Sequence, residues 1–187
     1  MHVFLTGDIS VGKTTIINKF ISYTGLSADG FATYWVTDYG SFRSLYLSPY
    51  SPYDSEPQYD ERYLIARDSK RQPLFSADMV SVFDVHGSKI LNNSGKHDII
   101  VMDELGFLET ASVIFQRAVM RHISADIPIL GVIKPKQTEF LNTVRTHPNV
   151  EVCEVTAENR EDVLAWLPKR IWRQAGMIPV FSQCGEK

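Results

Sequence analysis

Apolar residues in this chain follow two rhythms. Continuous short runs, His2-Val-Phe-Leu-Thr6, Asp98-Ile-Ile-Val-Met102, Pro128-Ile-Leu-Gly-Val-Ile133 and the stretch Val150 to Val155, alternate with segments whose apolar residues recur at helical spacing. Continuous runs of this length are expected of strands buried on both faces of a parallel sheet. The helical segments are Thr14 to Tyr23, carrying Ile16, Ile17, Phe20 and Ile21, then Ser112 to Ile123, Thr138 to Arg145, and a last one containing Val163, Leu164 and Leu167. Gly25 suits a left-handed helix C-terminus after the first of them. The alternation predicts an α/β fold.

Between the first helix and Asp98 the rhythm changes. Phe31 to Val36 and Ser44 to Ser48 are rich in aromatic and β-branched residues and flank Asp38-Tyr-Gly-Ser41, which predicts a hairpin, with Arg62 to Ala66 as a third antiparallel strand. This antiparallel part spans about residues 31–67, within an insertion 31–75 that holds an exposed Pro- and Tyr-rich loop at 49–60. Tyr50, Tyr53 and Tyr59 are expected to pack locally, since no basic residue interleaves them to track a phosphate backbone. Val80 to Phe83 reads as a short strand leading into a helix through Leu91, with Asp84 and His86 in capping or surface roles. Pro168 and Gly176 suggest a kink and an irregular tail, 173–187, whose Ile178 to Phe181 is expected to dock on the sheet.

Length, charge and cysteines narrow the class. The 187 residues are read as one domain, 1–187, and the formal charge of −3 gives no overall attraction to nucleic acid or anionic membranes. No protein partner is indicated, and oligomeric state is left open. The basic run Arg67-Asp-Ser-Lys-Arg71 reads as a solvated turn. Cys153 and Cys184 lack metal-binding or disulfide-framework spacing; Cys153 is read as a buried small hydrophobe and Cys184 as a tail residue. No run approaches the ~18 apolar residues of a membrane span, and the N-terminus lacks a signal-peptide pattern, so a cytoplasmic location is expected.

The chemistry begins at the first loop. Gly7-Asp8-Ile9-Ser10-Val11-Gly12-Lys13-Thr14-Thr15 follows a predicted strand and opens a predicted helix. Its spacing matches the phosphate-binding P-loop, or Walker A motif, whose amides wrap an anionic phosphate at a positive helix N-terminus. Gly12 admits close backbone approach, Lys13 reaches the β and γ phosphates, and the Thr14 hydroxyl ligates Mg²⁺. The second centre is the pair Asp103 and Glu104, at the end of an apolar strand expected to lie next to the P-loop strand. An acid pair there, in the Walker B position, faces the same phosphates: Asp103 holds Mg²⁺ through water and Glu104 orients and activates the attacking water.

With these centres in place, the chain resembles the small P-loop nucleoside-triphosphatase family known from thermophiles and from other bacteria, archaea and animals. The resemblance covers about residues 1–172. It rests on the loop, on Asp103-Glu-Leu-Gly-Phe-Leu-Glu109, on Val155-Thr-Ala-Glu-Asn-Arg160, and on Gly30-Phe31 with the hairpin after it. It implies a three-layer, RecA-like fold, a mostly parallel sheet flanked by helices with an antiparallel extension. It also implies Mg²⁺-dependent hydrolysis of nucleoside triphosphates with loose base preference, and places Asn159 and Arg160 beside the base or sugar. Ile9 and Ser10 stand where many relatives carry Pro and Gly, which removes backbone freedom at Ser10.

Arg117 and Arg121, four apart on one helix, are candidates for an arginine finger, and Lys134, just past a strand end, for a γ-phosphate sensor. Two other readings remain open from the residues. One is a small P-loop kinase using Arg67, Lys70 and Arg71 as a lid; the other is a nucleotide-operated binding module with slow turnover.

Overall fold

The computed structural model describes residues 1–37, 42–51, 60–69, 72–75, 78–93 and 97–172. Eight strands are found among them: β1 His2–Thr6, β2 Ala28–Thr37, β3 Phe42–Pro49, β4 Leu64–Ser69, β5 Gln72–Phe75, β6 Ile99–Leu105, β7 Ile129–Ile133 and β8 Val150–Glu154. They form one sheet in the order β5-β4-β3-β2-β6-β7-β1-β8. Four pairings, among β2, β6, β7, β1 and β8, are parallel, and the three that join β2 to β5 are antiparallel. The helices are α1 Lys13–Thr24, α2 (α-helical Met79–Ser81, π-helical Val82–Gly87, α-helical Ser88–Asn93), α3 Val113–Ile123, α4 Glu139–Arg145 and α5 Arg160–Ile171.

Side-chain alternation divides the core into two faces. Val3, Leu5, Ile99, Val101, Leu130 and Val132 pack with α1 and α5, whereas Phe4, Ile100, Met102, Ile129 and Ile133 pack with α2, α3 and α4. Apolar residues on both faces of each parallel strand explain why those strands read as continuous runs, and they make three layers.

The fold departs from the sequence expectations in five places. The acid-bearing strand β6 is not beside β1, because β7 lies between them. Val80 to Phe83 is helical, since a short apolar run serves a buried helix as well as a strand and its packing decides. Cys153 is only half-buried, on the edge strand β8. Tyr50, assigned to the exposed loop, is buried in the α1-side core. A further strand, β5, pairs with β4, and Arg67, Asp68 and Ser69 of the basic run belong to β4. Tyr53, Tyr59, Lys70, Arg71, Gly176, Cys184 and the docking of 178–181 lie outside the described residues.

The antiparallel part is joined through β2, whose first half pairs with β6 in parallel and whose length pairs with β3. Gly30 makes the join. At φ 124°, a side chain there would place its Cβ 1.9 Å from the Val101 carbonyl oxygen, and its own carbonyl accepts the Tyr50 N–H at 2.8 Å.

Candidate active site

The loop after β1 is shaped by contacts that tolerate few residue types. Gly7 has φ 130°, and a Cβ there would lie 2.3 Å from the Val155 carbonyl oxygen, a backbone atom fixed by the Val155 N–H bond to Thr6 O. Ser10 takes a left-handed φ of 63°, a conformation that costs a non-glycine residue about 1 kcal/mol. Gly12, also left-handed, caps α1 without any side-chain hydrogen bond, and the first turn carries no acid. That helix N-terminus therefore presents its amides and positive dipole end to an anion without a competing carboxylate of its own. Lys13 Nζ donates to Gly7 O at 3.0 Å and to Asp8 O at 2.6 Å, holding its charge over the loop. Asp8 and Val11 lie along this turn, Thr15 lies in the first turn of α1, and Ile9 is 93% exposed.

Asp103 continues the odd-numbered face of β6, the side of α1, and is only 4% exposed. The Thr14 hydroxyl lies near enough to its carboxylate to favour the charged form, so the two proposed cation ligands come together although β7 separates their strands. Burial, opposed by that hydroxyl and reinforced by the Glu104 charge, pushes Asp103 up to about 6. An oxygen-only donor pair at a buried, anionic position suits a hard divalent cation such as Mg²⁺, which takes one or two protein ligands with phosphate and water completing the shell.

Past Asp103 the sheet alternation slips. The β6–β7 register shifts between Met102 and Leu105, and Leu105 joins the same core face as Ile100 and Met102. Two consecutive acids therefore end up at the same mouth. Glu104 Oε2 is 2.9 Å from Lys134 Nζ, just beyond the end of β7. The candidate phosphate sensor is thus an ion-pair partner of the candidate base.

Glu109 carried no assigned role in the sequence, though it closes the Asp103 to Glu109 stretch. It is 2% exposed, its Oε2 accepts the Gly106 N–H at 3.0 Å, and burial pushes it up to about 7. Tyr50 is the other residue missed. Its hydroxyl donates to Asn18 Oδ1 at 2.9 Å, one helical turn after Thr14, and burial and the Asp103 charge raise its pKa. A Pro-rich neighbourhood hid it; Asn18 one turn past the P-loop threonine was the available signal.

Asn159 braces the loop after β8, its Oδ1 accepting from Thr156 N at 2.9 Å and its Nδ2 donating to Glu154 O at 3.0 Å. Arg160 reaches over the P-loop: its Cδ is 3.1 Å from where a Cβ on Gly12 would sit, and its Nε donates to Ala157 O. Arg121 instead binds Asn92 at the end of α2, and Arg117 is exposed on α3. Arg67 pairs with Glu61. Asp84 caps α3, accepting the Phe115 N–H at 3.0 Å.

Residues 2–167 match the family model described as NTPase. The chain is 35% identical over 184 residues to the cancer-related nucleoside-triphosphatase homolog of Bos taurus, with 87% of this chain and 92% of that protein covered. It is 34% identical over 182 residues to the human cancer-related nucleoside-triphosphatase, at the same coverage. Among solved structures it resembles the solution structure of a human cancer-related nucleoside triphosphatase, at TM-score 0.63 and 26% identity, over 95% of this chain and 99% of that one. The crystal structure of THEP1 from Aquifex aeolicus shares the fold at TM-score 0.66 and 21% identity, over 89% of this chain and 96% of that one.

Proposed function

The chain belongs to the NTPase family and its reaction is the hydrolysis of nucleoside triphosphates, for which we propose a Mg²⁺-dependent attack of water on the γ-phosphorus with loose base preference. The observation that carries this reading is the meeting of Thr14, Asp103 and Glu104 at one mouth of the sheet, beside a lysine-bearing glycine loop. When bound, Mg²⁺ would neutralise charge on the transferring phosphate groups.

The chain's own groups do the rest. The amides from Gly7 to Thr15 wrap the phosphates, and Lys13 transfers its hydrogen bonds from the loop carbonyls to phosphate oxygens. Thr14 and Asp103 would hold the cation. Glu104 positions a water in line with the scissile bond and accepts its proton, while diphosphate leaves. Arg160, lying over Gly12, faces the ribose and base side, and Asn159 holds the loop that carries it. A water-activating carboxylate beside the metal ligand favours water over a hydroxyl acceptor. We place the activity in the cytoplasm, where a chain with two widely spaced cysteines keeps them reduced.

Glu104→Gln tests the assignment. Phosphate release from a panel of triphosphates should fall by about 10² or more, while equilibrium binding of a non-hydrolysable analogue stays within about threefold. Native turnover in that variant removes Glu104 from the mechanism. Loss of nucleotide with a phosphorylated acceptor in place of free phosphate would establish a kinase instead.

A further inference from the structure

Lys134 meets Glu104, Glu109 meets the backbone of Gly106 two residues on, and the reaction as described uses neither. Lys134 is held at both ends. Its N–H donates to Leu105 O at 2.9 Å, its carbonyl accepts from Arg145, and its ammonium meets Glu104 at 2.9 Å. Between those ends its stem crosses Gly106: a Cβ on Gly106 would lie 3.2 Å from Lys134 Cδ and 3.6 Å from Glu109 Oε2. The lysine and the buried carboxylate are thus packed over the same glycine, and the charge of Glu109 acts on both Lys134 and Glu104.

A buried glutamate is an expensive way to satisfy one backbone N–H. Glutamine accepts the Gly106 N–H equally well without the desolvation cost of a carboxylate. The ionised carboxylate has another use here: above about pH 7, where it carries its charge, Glu109 attracts Lys134 as well as accepting the Gly106 N–H beside the lysine stem. Glu104, by contrast, sits at a strand end with a side chain 28% exposed. Left alone, such a carboxylate spreads over several rotamers, and few of them aim at an in-line water.

We propose that Lys134 and Glu109 are positioning residues for the hydrolytic reaction, Lys134 fixing the carboxylate of Glu104 and Glu109 holding Lys134 in place. The inference rests on the assignment of Glu104 as the water-activating group. It gives Lys134 a different task from a phosphate sensor: its ligand is the base, and substrate binding does not depend on it.

The test is a set of variants, Lys134→Met, Glu109→Gln, Glu104→Gln and their double combinations, with phosphate release followed over hours and analogue binding measured separately. Lys134→Met should lower kcat about 10-fold with KM and analogue affinity within about twofold. In the Glu104→Gln background it should change kcat less than about twofold, because the group it positions is gone. Glu109→Gln keeps the acceptor for Gly106 N–H and deletes only the charge; assayed above pH 7, where that charge is present, it should lower kcat about threefold and add nothing to Lys134→Met. Equal losses from Lys134→Met in both backgrounds, or analogue binding weakened tenfold, would show that Lys134 acts on the nucleotide and overturn the proposal. Unchanged kcat in Lys134→Met overturns it too. If Glu104→Gln itself keeps native turnover, the parent assignment fails. If Glu104→Gln loses turnover while Lys134→Met does not, only the present inference falls.

Discussion

At the scale of single residues, the backbone decides more than the side chains. The P-loop motif was legible because its glycines mark places where a Cβ has nowhere to go. Gly7 shows the limit of that reading. The motif names it, but the atom that enforces it, Val155 O, arrives from the other end of the chain. Gly7→Ala should therefore cost both stability and nucleotide affinity, since a backbone carbonyl just past β8, tied to β1 through its own residue's N–H, cannot move aside as a flexible side chain would. A loss of at least tenfold in analogue binding, with a lowered Tm, is the expected result. His2 gives a second residue-level prediction. Its Nε2–H donates to Ile123 O at 2.9 Å and its Nδ1 accepts the Ile129 N–H at 3.1 Å, so the neutral ring satisfies both partners and a proton on Nδ1 would oppose that N–H. Burial, with help from the N-terminal ammonium, lowers its pKa to about 4. The folded-state value lies below the unfolded one near 6.5, so this contribution is complete above about pH 6.5 and is lost as pH falls through 4, an effect on the order of 3 kcal/mol. Urea titrations of the native chain and His2→Gln between pH 7 and 4 should show their stability difference shrinking with acid; a constant difference would place the acid sensitivity elsewhere.

At the scale of elements, strands and amphipathic helices followed from hydrophobic spacing wherever an element was buried in one regular way. The left-handed Gly25 at the end of α1 and the eleven-residue α3 are such cases. α2 was not, because its apolar residues Val82 and Phe83 adjoin in sequence and its middle is π-helical. That middle turn carries Asp84, whose carboxylate takes the place of the silent N-cap Ser112 on α3. A cap lent by another helix leaves no signature in the local sequence, which is why capping was foreseen for Asp84 but its target was not. Asp84→Ala should destabilise the protein by about 1 kcal/mol, and Asp84→Asn by less, since asparagine keeps an acceptor and loses only the charge at the helix N-terminus. Thermal melts of both variants check the order. Equal Tm values for the two would mean that the charge, and not the hydrogen bond, carries the effect.

At the scale of the whole molecule, strand order was the least legible feature. Local pattern says that β1, β6 and β7 are buried strands, but nothing within them says that β7 lies in the middle. The same order explains why the Lys134–Glu104 pair was unreadable: its members come from separate strands that become neighbours only in the assembled sheet. The antiparallel strands raise a sharper question of unity, because they extend the sheet as expected and are continuous with its parallel half through β2. If they were a separate appendage, damage there would leave the parallel half and its site intact. The join at Gly30 argues otherwise. Its backbone is seated against Val101 of β6, two residues before Asp103, and also receives the N–H of Tyr50, whose hydroxyl supports α1 behind Thr14. Gly30→Ala must push β2 and β6 apart, so it should act on the whole sheet at once. The expected result is a single unfolding transition lowered by roughly 10 °C, corresponding to about 3 kcal/mol or more, accompanied by a loss of turnover through displaced Asp103. Two separate transitions, with the catalytic one at its native temperature and activity preserved, would show that the antiparallel strands fold apart from the site they adjoin.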